Sequence, residues 1–207
     1  MVNPPPEQLI TPITEKRRVQ ILDEILACRP DEGPLRVFGY GSLMWNPCFD
    51  IVKEQVCRLR NYQRGFLIWS VFARGTPEKP GLGLGLELKE GASCDGILFT
   101  LSETTTREDL FPLWEREMWT DTYHPEWITV QVEDGFVSAL TFVVSTDHLQ
   151  YAGDLTISKK AAYIAEASGK YGTCHEYLSQ TVAKMRELGF YDTEMEELLA
   201  AVDALKG

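Results

Sequence analysis

The chain has 207 residues, of which 44% are hydrophobic and 25% are charged, as is usual for a folded globular protein. It carries 20 basic and 31 acidic side chains, for a formal net charge of −11. This excess of acid argues against nucleic acid or an anionic membrane as a partner, because both attract clusters of Lys and Arg. A chain of this length can bury one well-filled core, and we expect a single domain over residues 13–207.

The cysteines and histidines show no recognisable zinc pattern. The five cysteines are scattered without a Cys-x-x-Cys pair, and the three histidines are isolated. The N-terminus lacks the basic and apolar regions of a signal peptide. No apolar run reaches the roughly 18 residues of a membrane helix. We therefore expect a cytoplasmic protein that holds no metal and does not enter a membrane.

The predicted elements begin after a proline-rich segment, residues 1–12, which we expect to be loose. Apolar residues at helical spacing follow, and Thr14 is suited to start this helix. The spaced residues are Val19, Leu22, Ile25 and Leu26. A turn and an apolar run then indicate a buried strand over residues 35–40.

The segment from residue 53 to residue 101 has β-like character, with alternating stretches separated by turn residues. The predicted strands are 53–59, 62–72, 82–88 and 94–101. Glycine and leucine alternate over residues 81–88, which predicts leucines on one face of a strand and glycines on the other. The glycine face permits close approach of a ligand, but tight packing inside a barrel explains it equally well.

The second half of the chain begins with a helix that is predicted to open at residue 102 and to run to about residue 115. Two strands then follow, joined by a Glu-Asp-Gly turn. They are predicted over residues 127–132 and 136–144. The last quarter is helical, with segments predicted at 157–167, 174–188 and 192–205. Strands first and helices later indicate an α+β fold.

A glycine-rich turn follows the strand at 35–40, within the sequence VFGYGSLMWNP of residues 37–47. Two glycines flank Tyr40, so the backbone can bend sharply and bring its N–H groups close to a bound anion. Ordinary loop chemistry is the alternative for such a turn.

Acids and an arginine stand among large apolar side chains in the sequence LWEREM of residues 113–118. A carboxyl in such surroundings can keep its proton near neutral pH. An exposed ion pair is the alternative. Together with the glycine-rich turn, a carboxyl of this kind suits proton-transfer chemistry on a small carboxylated substrate.

The sequence FGYGSLMWNP of residues 38–47 resembles the signature of the ChaC-like γ-glutamylcyclotransferases, which cleave glutathione. Further stretches agree with the family in the same order, and the resemblance spans roughly residues 28–200. These stretches are CRPDEGP at 28–34, RGTPEKPG at 74–81, LWEREM at 113–118 with YHPEW at 123–127, and the helical end from Ala167-Ser168-Gly169 through Glu176-Tyr177-Leu178 to Leu188-Gly189.

This resemblance implies a small, strongly curved, mixed β-barrel with helices packed outside it. It also implies a carbon–nitrogen lyase that takes glutathione as its small-molecule substrate and releases 5-oxoproline and Cys-Gly. In this reaction the α-amine of the γ-glutamyl group attacks the γ-carbonyl, so no cofactor is required. We expect a monomer.

The resemblance also assigns the candidate site residues. Glu117 matches the family's catalytic glutamate and is the predicted general acid/base, with Glu115 as its rival. If the helix continues this far, residues at i and i+2 point to different faces, so only one of the two acids can enter the pocket. For Arg116, an ion pair with an acidic neighbour is favoured over a contact with the substrate.

The predicted substrate-binding residues are Tyr40, Gly41, Ser42, Leu43, Arg74 and Tyr123. The turn at 40–43 is expected to hold the substrate's α-carboxylate and γ-carbonyl through backbone N–H groups. The hydroxyl of Tyr40 either bonds the substrate or only walls the pocket. Arg74 is a candidate for the glycyl carboxylate of glutathione. Tyr123 and Tyr177 either line the pocket or serve packing.

Two positions depart from the family pattern. Lys170 stands where the family often has proline, and Cys174 stands where asparagine is usual. Both changes bear on substrate preference more than on chemistry. One alternative function is therefore a γ-glutamylcyclotransferase for γ-glutamyl amino acids or amines. Another is a non-catalytic regulatory binding protein linked to cation transport, against which an intact Glu117 argues.

Overall fold

The computed structural model describes residues 4, 10–153 and 155–207. Most of the segment 1–12 that we expected to be loose lies outside the described residues. The helices are α1 Glu15–Ala27, α2 Phe111–Glu117, α3 Ile157–Glu166, α4 Cys174–Glu187 and α5 Thr193–Lys206. The strands are β1 Arg36–Gly39, β2 Lys53–Ser70, β3 Gly81–Thr100, β4 Tyr123–Val132, β5 Gly135–Val144, β6 Ser168–Gly169 and β7 Gly172–Thr173.

Five strands close into a barrel in the order β1-β3-β2-β4-β5. The sheet is mixed, because β1 runs antiparallel to β3 and parallel to β5. Val37 is the residue of β1 that pairs on both sides, with Phe99 of β3 and with Leu140 of β5. β4 and β5 form a hairpin whose register runs from Tyr123 opposite Val144 to Val132 opposite Gly135. The predicted α+β class with a small mixed barrel is confirmed.

β2 and β3 are each one long strand, so the prediction of two shorter strands in each place is wrong. Asn61 and Gly91 are residue types that commonly form turns, and they interrupt the alternating strand pattern of the sequence. Each long strand was therefore predicted as two. Asn61 in β2 has φ +61° and Gly91 in β3 has φ +78°, and the Gly91 N–H donates to the Asn61 side-chain oxygen at 3.1 Å. Asn and Gly tolerate this left-handed conformation, so each strand accommodates one such residue without ending.

The alternating run inside β3 has its predicted leucine face over most of its length. Leu82, Leu84 and Leu86 are buried, whereas Leu88 is exposed. The alternation therefore correctly identified a half-buried strand but not the residue at which its burial ends.

The described residues group into two compact units, each discontinuous in sequence. The first unit contains residues 11–63 and 86–145, and the second contains the described residues within 1–10, 64–85 and 146–207. β2 and β3 contribute residues to both. The single domain expected from the sequence stays a prediction.

In the second unit, the three predicted helices are present and begin at side-chain caps. Thr156 caps α3, and Asp192 caps α5. Thr173 and Glu176 form a reciprocal capping box at the start of α4, which satisfies N–H groups that a helix cannot pair internally. α3 packs on α5, and their ends are tied by an ion pair of 2.6 Å between Lys160 and Glu194.

In the first unit, α1 starts after Thr14 as predicted, because the Thr14 hydroxyl accepts the Arg17 N–H at 3.2 Å. The helix is held to β4 by the Trp127 indole, which donates to the Ile25 carbonyl at 2.8 Å. The expected strands on either side of the Glu-Asp-Gly turn are also present, although β4 begins four residues earlier than predicted, at Tyr123.

The helix predicted from residue 102 begins later than expected. Ser102 accepts the Thr104 N–H at 3.1 Å and so stabilises a local turn instead of capping a helix. Thr106 and Asp109 then bond each other's backbone N–H groups, at 3.4 and 2.7 Å. The chain enters a 3-10 turn over Glu108–Leu110 and continues into α2. The helical segment therefore begins at Glu108, six residues beyond the predicted start.

Candidate active site

The glycine-rich turn leaves the buried end of β1 and forms a short 3-10 helix over Ser42–Met44. The Met44 N–H donates to the Gly41 carbonyl at 2.9 Å, and the Asn46 N–H donates to the Ser42 carbonyl at 2.8 Å. Within the part of the chain that the structure describes, no backbone acceptor pairs with the N–H groups of Gly41, Ser42 and Leu43. These are the donors that a helix start leaves without an internal partner.

Side chains of this turn are fixed by packing. Leu43 and Met44 are both buried. Gly39 lies so close to its neighbours that a Cβ there would stand 2.9 Å from the Phe99 ring and 3.1 Å from the Leu43 Cβ. Leu43 can therefore offer its backbone, but not its side chain, to a ligand.

The Tyr40 hydroxyl donates to the Phe142 carbonyl of β5 at 2.9 Å, and the residue is buried. A second bond across the same strands runs from the Thr141 hydroxyl to the Phe38 carbonyl at 3.1 Å. This geometry favours a role for Tyr40 in lining the pocket over a bond to the substrate, because its phenolic proton is already donated within the protein.

Glu117 is the last residue of α2, a helix anchored by buried Leu113 and Trp114. The Trp114 ring packs edge-on against Phe142, with 5.4 Å between the ring centroids. Glu115 is exposed to solvent, whereas the Glu117 side chain is only 14% exposed. The two acids thus face different surroundings, as their i, i+2 spacing predicted.

Burial raises the pKa of the Glu117 carboxyl above its ordinary value, and the Arg116 charge opposes this rise without cancelling it. The ion pair that we favoured for Arg116 is present, with 3.2 Å between its Nε and the Glu117 Oε1. Glu117 therefore combines a partly desolvated carboxyl with one cationic neighbour, and this combination suits a group that exchanges protons near neutral pH.

This environment predicts that Glu117→Gln stabilises the protein at neutral pH. A raised pKa means that folding disfavours the carboxylate, so the wild type loses stability as the pH rises through the folded-state pKa. Glutamine has no charge to bury. Thermal midpoints measured from pH 4 to 8 should diverge with rising pH and converge near the ordinary glutamate pKa of 4.5. Exposed Glu115→Gln is the matched control, and a less stable Glu117→Gln at pH 7 would contradict the prediction.

Arg116 connects Glu117 to the glycine-rich turn. Its Nη2 donates to the Ser42 hydroxyl at 2.5 Å, and its Nη1 donates to the Asn46 carbonyl. Within the first unit, the structure thus brings together Glu117, Arg116 and the turn that begins at Tyr40. Sequence reasoning proposed the acid and the turn, but it did not predict the link between them.

Cys48 is a further neighbour that sequence reasoning missed. Burial raises the pKa of the Cys48 thiol, the Arg116 charge and a hydrogen bond with the Arg116 side chain lower it, and the Glu117 charge raises it. The thiol therefore lies within electrostatic range of both groups. No motif marks this cysteine, because its relation to the site depends on a contact between positions about 70 residues apart.

Arg74 lies in the second unit. Its Nη1 donates to the carbonyls of Tyr171 and Thr173, and its guanidinium carbon stands 5.1 Å from the centroid of the Tyr177 ring. These contacts give Arg74 and Tyr177 structural roles around the β6–β7 hairpin. The predicted contact of Arg74 with the glycyl carboxylate stays a prediction.

Tyr123, the first residue of β4, lines a cleft of about 350 Å³ in the first unit. Met118, which directly follows Glu117, also lines this cleft, together with residues of α1 such as Arg17 and Cys28. Among the described residues, neither Glu117 nor the turn at 40–43 belongs to the lining of this cleft. The predicted role of Tyr123 in substrate binding stays a prediction.

The two departures from the family pattern have visible contacts in the second unit. The Cys174 thiol donates to the Leu82 carbonyl at 3.1 Å and lies 3.4 Å from the Leu82 N–H, from which it accepts. The buried thiol therefore makes both kinds of polar contact that an asparagine side chain could make. The Lys170 amine lies 5.1 Å from the Phe72 ring centroid, within the range of a cation–π contact.

In the residues that the structure describes, no three His, Cys, Asp or Glu side chains are grouped as ligands for a metal ion. None of the described helices is long and apolar enough to cross a membrane.

A comparison with protein-family models matches residues 35–205 to the family described as ChaC-like protein. This match covers most of the chain and includes both the turn and Glu117. The chain belongs to the ChaC-like protein family. The family assignment made from the sequence motifs is therefore confirmed.

Curated relatives are similar to this chain over most of its length. The glutathione-specific gamma-glutamylcyclotransferase of Escherichia coli K12 is 38% identical over 191 residues, which cover 92% of this chain and 82% of that protein. The human glutathione-specific gamma-glutamylcyclotransferase 1 is 29% identical over 179 residues, which cover 84% of this chain and 80% of that protein.

Solved structures show the same fold. A crystal structure of a γ-glutamylcyclotransferase from yeast, described as specific to glutathione, superposes with a TM-score of 0.77. The match covers 84% of this chain and 97% of the yeast chain at 19% sequence identity. At that identity the structural similarity shows the fold alone. It confirms the predicted γ-glutamylcyclotransferase-like architecture.

Proposed function

We propose that the protein is a glutathione-specific γ-glutamylcyclotransferase, an enzyme that releases 5-oxoproline and Cys-Gly. The observation that carries this proposal is the placement of Glu117. Its carboxyl is largely buried, its pKa is raised, and Arg116 links it to the glycine-rich turn. The names of the curated relatives supply the substrate. A purely regulatory binding protein has no need for a buried acid in this position.

The substrate carries its own nucleophile, so the enzyme mainly has to hold the substrate in the geometry that allows attack. The α-amine of the γ-glutamyl group attacks the γ-carbonyl, a five-membered ring closes, and the cysteinyl nitrogen departs with a proton. Holding two such groups in a near-attack geometry can remove about 7–11 kcal/mol of the barrier. No water enters the bond that forms, so the enzyme must fold the substrate and move protons.

Glu117 is the group that moves the protons in this proposal. The α-amine is mostly ammonium at pH 7 and must lose a proton before it can attack. One carboxylate placed between the two nitrogens takes this proton and returns one to the departing nitrogen. The raised pKa of Glu117 brings its proton affinity closer to the working pH, where both transfers are efficient.

The turn holds the glutamyl end of the substrate. The N–H groups of Gly41, Ser42 and Leu43 are the donors for the α-carboxylate and for the γ-carbonyl oxygen as it gains charge. This role falls on the backbone, because the Leu43 side chain is buried and the Tyr40 hydroxyl donates to Phe142.

The substrate assignment is tested with purified protein and a panel of γ-glutamyl compounds, scored for 5-oxoproline. We expect glutathione to give the highest kcat/KM, without added metal or nucleotide. Much faster cleavage of γ-glutamyl-alanine would move the assignment to γ-glutamyl amino acids. Activity that is lost with a chelator and restored by a divalent ion would overturn the cofactor-free mechanism.

The role of the turn predicts that Gly41→Val raises KM and lowers kcat together. Gly41 is buried, and a branched side chain there obstructs the approach of the substrate to the turn. Ser42→Ala should cost less, because the N–H of residue 42 remains and only the hydroxyl contact with Arg116 is lost. Steady-state kinetics of both variants check this order, and unchanged kinetics in Gly41→Val would remove the turn from the site.

A further inference from the structure

Arg116 uses all three of its guanidinium nitrogens within the first unit. Nε pairs with the Glu117 carboxylate at 3.2 Å, Nη2 donates to the Ser42 hydroxyl at 2.5 Å, and Nη1 donates to the Asn46 carbonyl. The side chain is 25% exposed, so these contacts are partly shielded from water. An ion pair alone would need only the first of the three.

Two of these contacts reach the turn at 40–43 and a residue shortly after it. Ser42 begins the 3-10 helix Ser42–Met44, and Asn46 lies two residues beyond it. The Asn46 N–H also donates to the Ser42 carbonyl at 2.8 Å, so the arginine closes a loop that is already compact. A guanidinium is planar and rigid, and its fork therefore fixes the positions of its partners relative to one another.

From this geometry we infer that Arg116 is a positioning residue, which holds the Glu117 carboxylate at a fixed place relative to the turn at 40–43. The inference rests on the proposed function, in which that turn binds the glutamyl group and Glu117 moves the protons. A displacement of about 1 Å between a reacting group and its substrate can lower a rate about 100-fold.

Two substitutions at Arg116 separate the effect of its positive charge from the effect of its hydrogen-bond geometry. Lysine keeps the positive charge but offers one nitrogen on a flexible stem, so it cannot make all three contacts. Glutamine removes the charge as well. Arg107 is the matched control, because it lies in the same unit and forms an exposed ion pair with Asp23.

We expect kcat to fall about 10- to 100-fold in both Arg116→Lys and Arg116→Gln, and Arg107→Gln to match the wild type. The dependence of kcat on pH should differ between Arg116→Lys and Arg116→Gln. Among the residues that the structure describes, Arg116 and Cys48 interact electrostatically with Glu117. Removal of the Arg116 charge should therefore move the acidic limb of the profile to higher pH in Arg116→Gln, whereas Arg116→Lys should keep it in place.

Two further measurements separate positioning from a folding defect. Guanidinium added to Arg116→Ala should restore part of kcat, and methylammonium should not, because only guanidinium has the planar fork. Amide hydrogen exchange should become at least about 10-fold faster at Asn46 in both Arg116→Lys and Arg116→Gln, while the β4–β5 hairpin stays protected.

Wild-type kcat and unchanged exchange at Asn46 in Arg116→Lys would overturn the inference, since charge alone would then suffice. Rescue of Arg116→Ala by methylammonium as well as guanidinium would overturn it too. A wild type that releases no 5-oxoproline from glutathione would instead overturn the proposed function. In that case the hydrogen-exchange comparison still decides whether Arg116 fixes the turn.

Discussion

Glu117→Gln should lower kcat for glutathione by a factor of about 10² to 10⁴, which is the usual contribution of a general acid/base. Glutamine keeps the size and much of the hydrogen bonding of the side chain while removing the titratable group. The defect should therefore fall on the chemical step and leave KM nearly unchanged. Single-turnover kinetics with the purified variant measure this step directly.

Glu115→Gln is the control for this experiment, because it makes the same chemical change two residues away on the exposed side of α2. Its kcat should stay within about threefold of the wild type, as expected for a solvated surface acid. If the two variants ranked in the reverse order, the proton-transfer role would belong to Glu115. If neither lost activity, the acid would lie outside α2.

The second large effect is expected on stability, at Gly75 of the RGTPEKPG loop. A Cβ added there would stand 2.2 Å from the Gly81 nitrogen, 2.4 Å from the Ser70 carbonyl oxygen and 2.9 Å from the Lys79 carbonyl oxygen. All three atoms belong to the backbone, and Ser70 and Gly81 are the ends of β2 and β3. These atoms cannot move aside as a flexible side chain could.

Gly75→Ala should therefore lower the free energy of unfolding by about 3 kcal/mol or more, since overpacking against a fixed backbone costs at least as much as overpacking in a core. Gly83→Ala is the control. The nearest atom to a Cβ at Gly83 is the Ile68 Cβ at 3.6 Å, which is ordinary contact. Urea unfolding of both variants gives the comparison. A Gly75→Ala variant as stable as Gly83→Ala would show that this loop relaxes freely.

The helices α1, α3, α4 and α5 were predictable because their signals are local. Thr14, Thr156, Thr173 and Asp192 each accept a backbone N–H at a helix start, and a cap of this kind lies within a few residues of the apolar pattern that it precedes. The different environments of Glu115 and Glu117 were predictable for the same reason, since helix geometry alone separates neighbours at i and i+2.

The strand breaks and the start of α2 were not predictable from local signals. Asn61 and Gly91 look like turn residues, and they remain inside strands because each pairs with the other across the sheet. Ser102 and Thr106 are both residue types that are favoured at helix starts, and the sequence does not show where the helical segment begins.

The contact between Arg116 and the turn could not be predicted from the sequence either, because it joins distant positions of the chain. Positions 42, 46 and 48 come close to position 116 only when β1 and α2 are placed by the barrel. Family resemblance identified the two motifs separately. Their connection through one guanidinium is a property of the folded chain.

In the proposed reaction the γ-glutamyl amine, and not water, attacks the γ-carbonyl. Incubation of the purified protein with glutathione in ¹⁸O-labelled water, followed by mass spectrometry of the products, distinguishes attack by the amine from attack by water. Intramolecular ring closure predicts 5-oxoproline without ¹⁸O, released in equal amount with Cys-Gly. Glutamate carrying one ¹⁸O atom would show hydrolysis instead, and would contradict the proposed reaction.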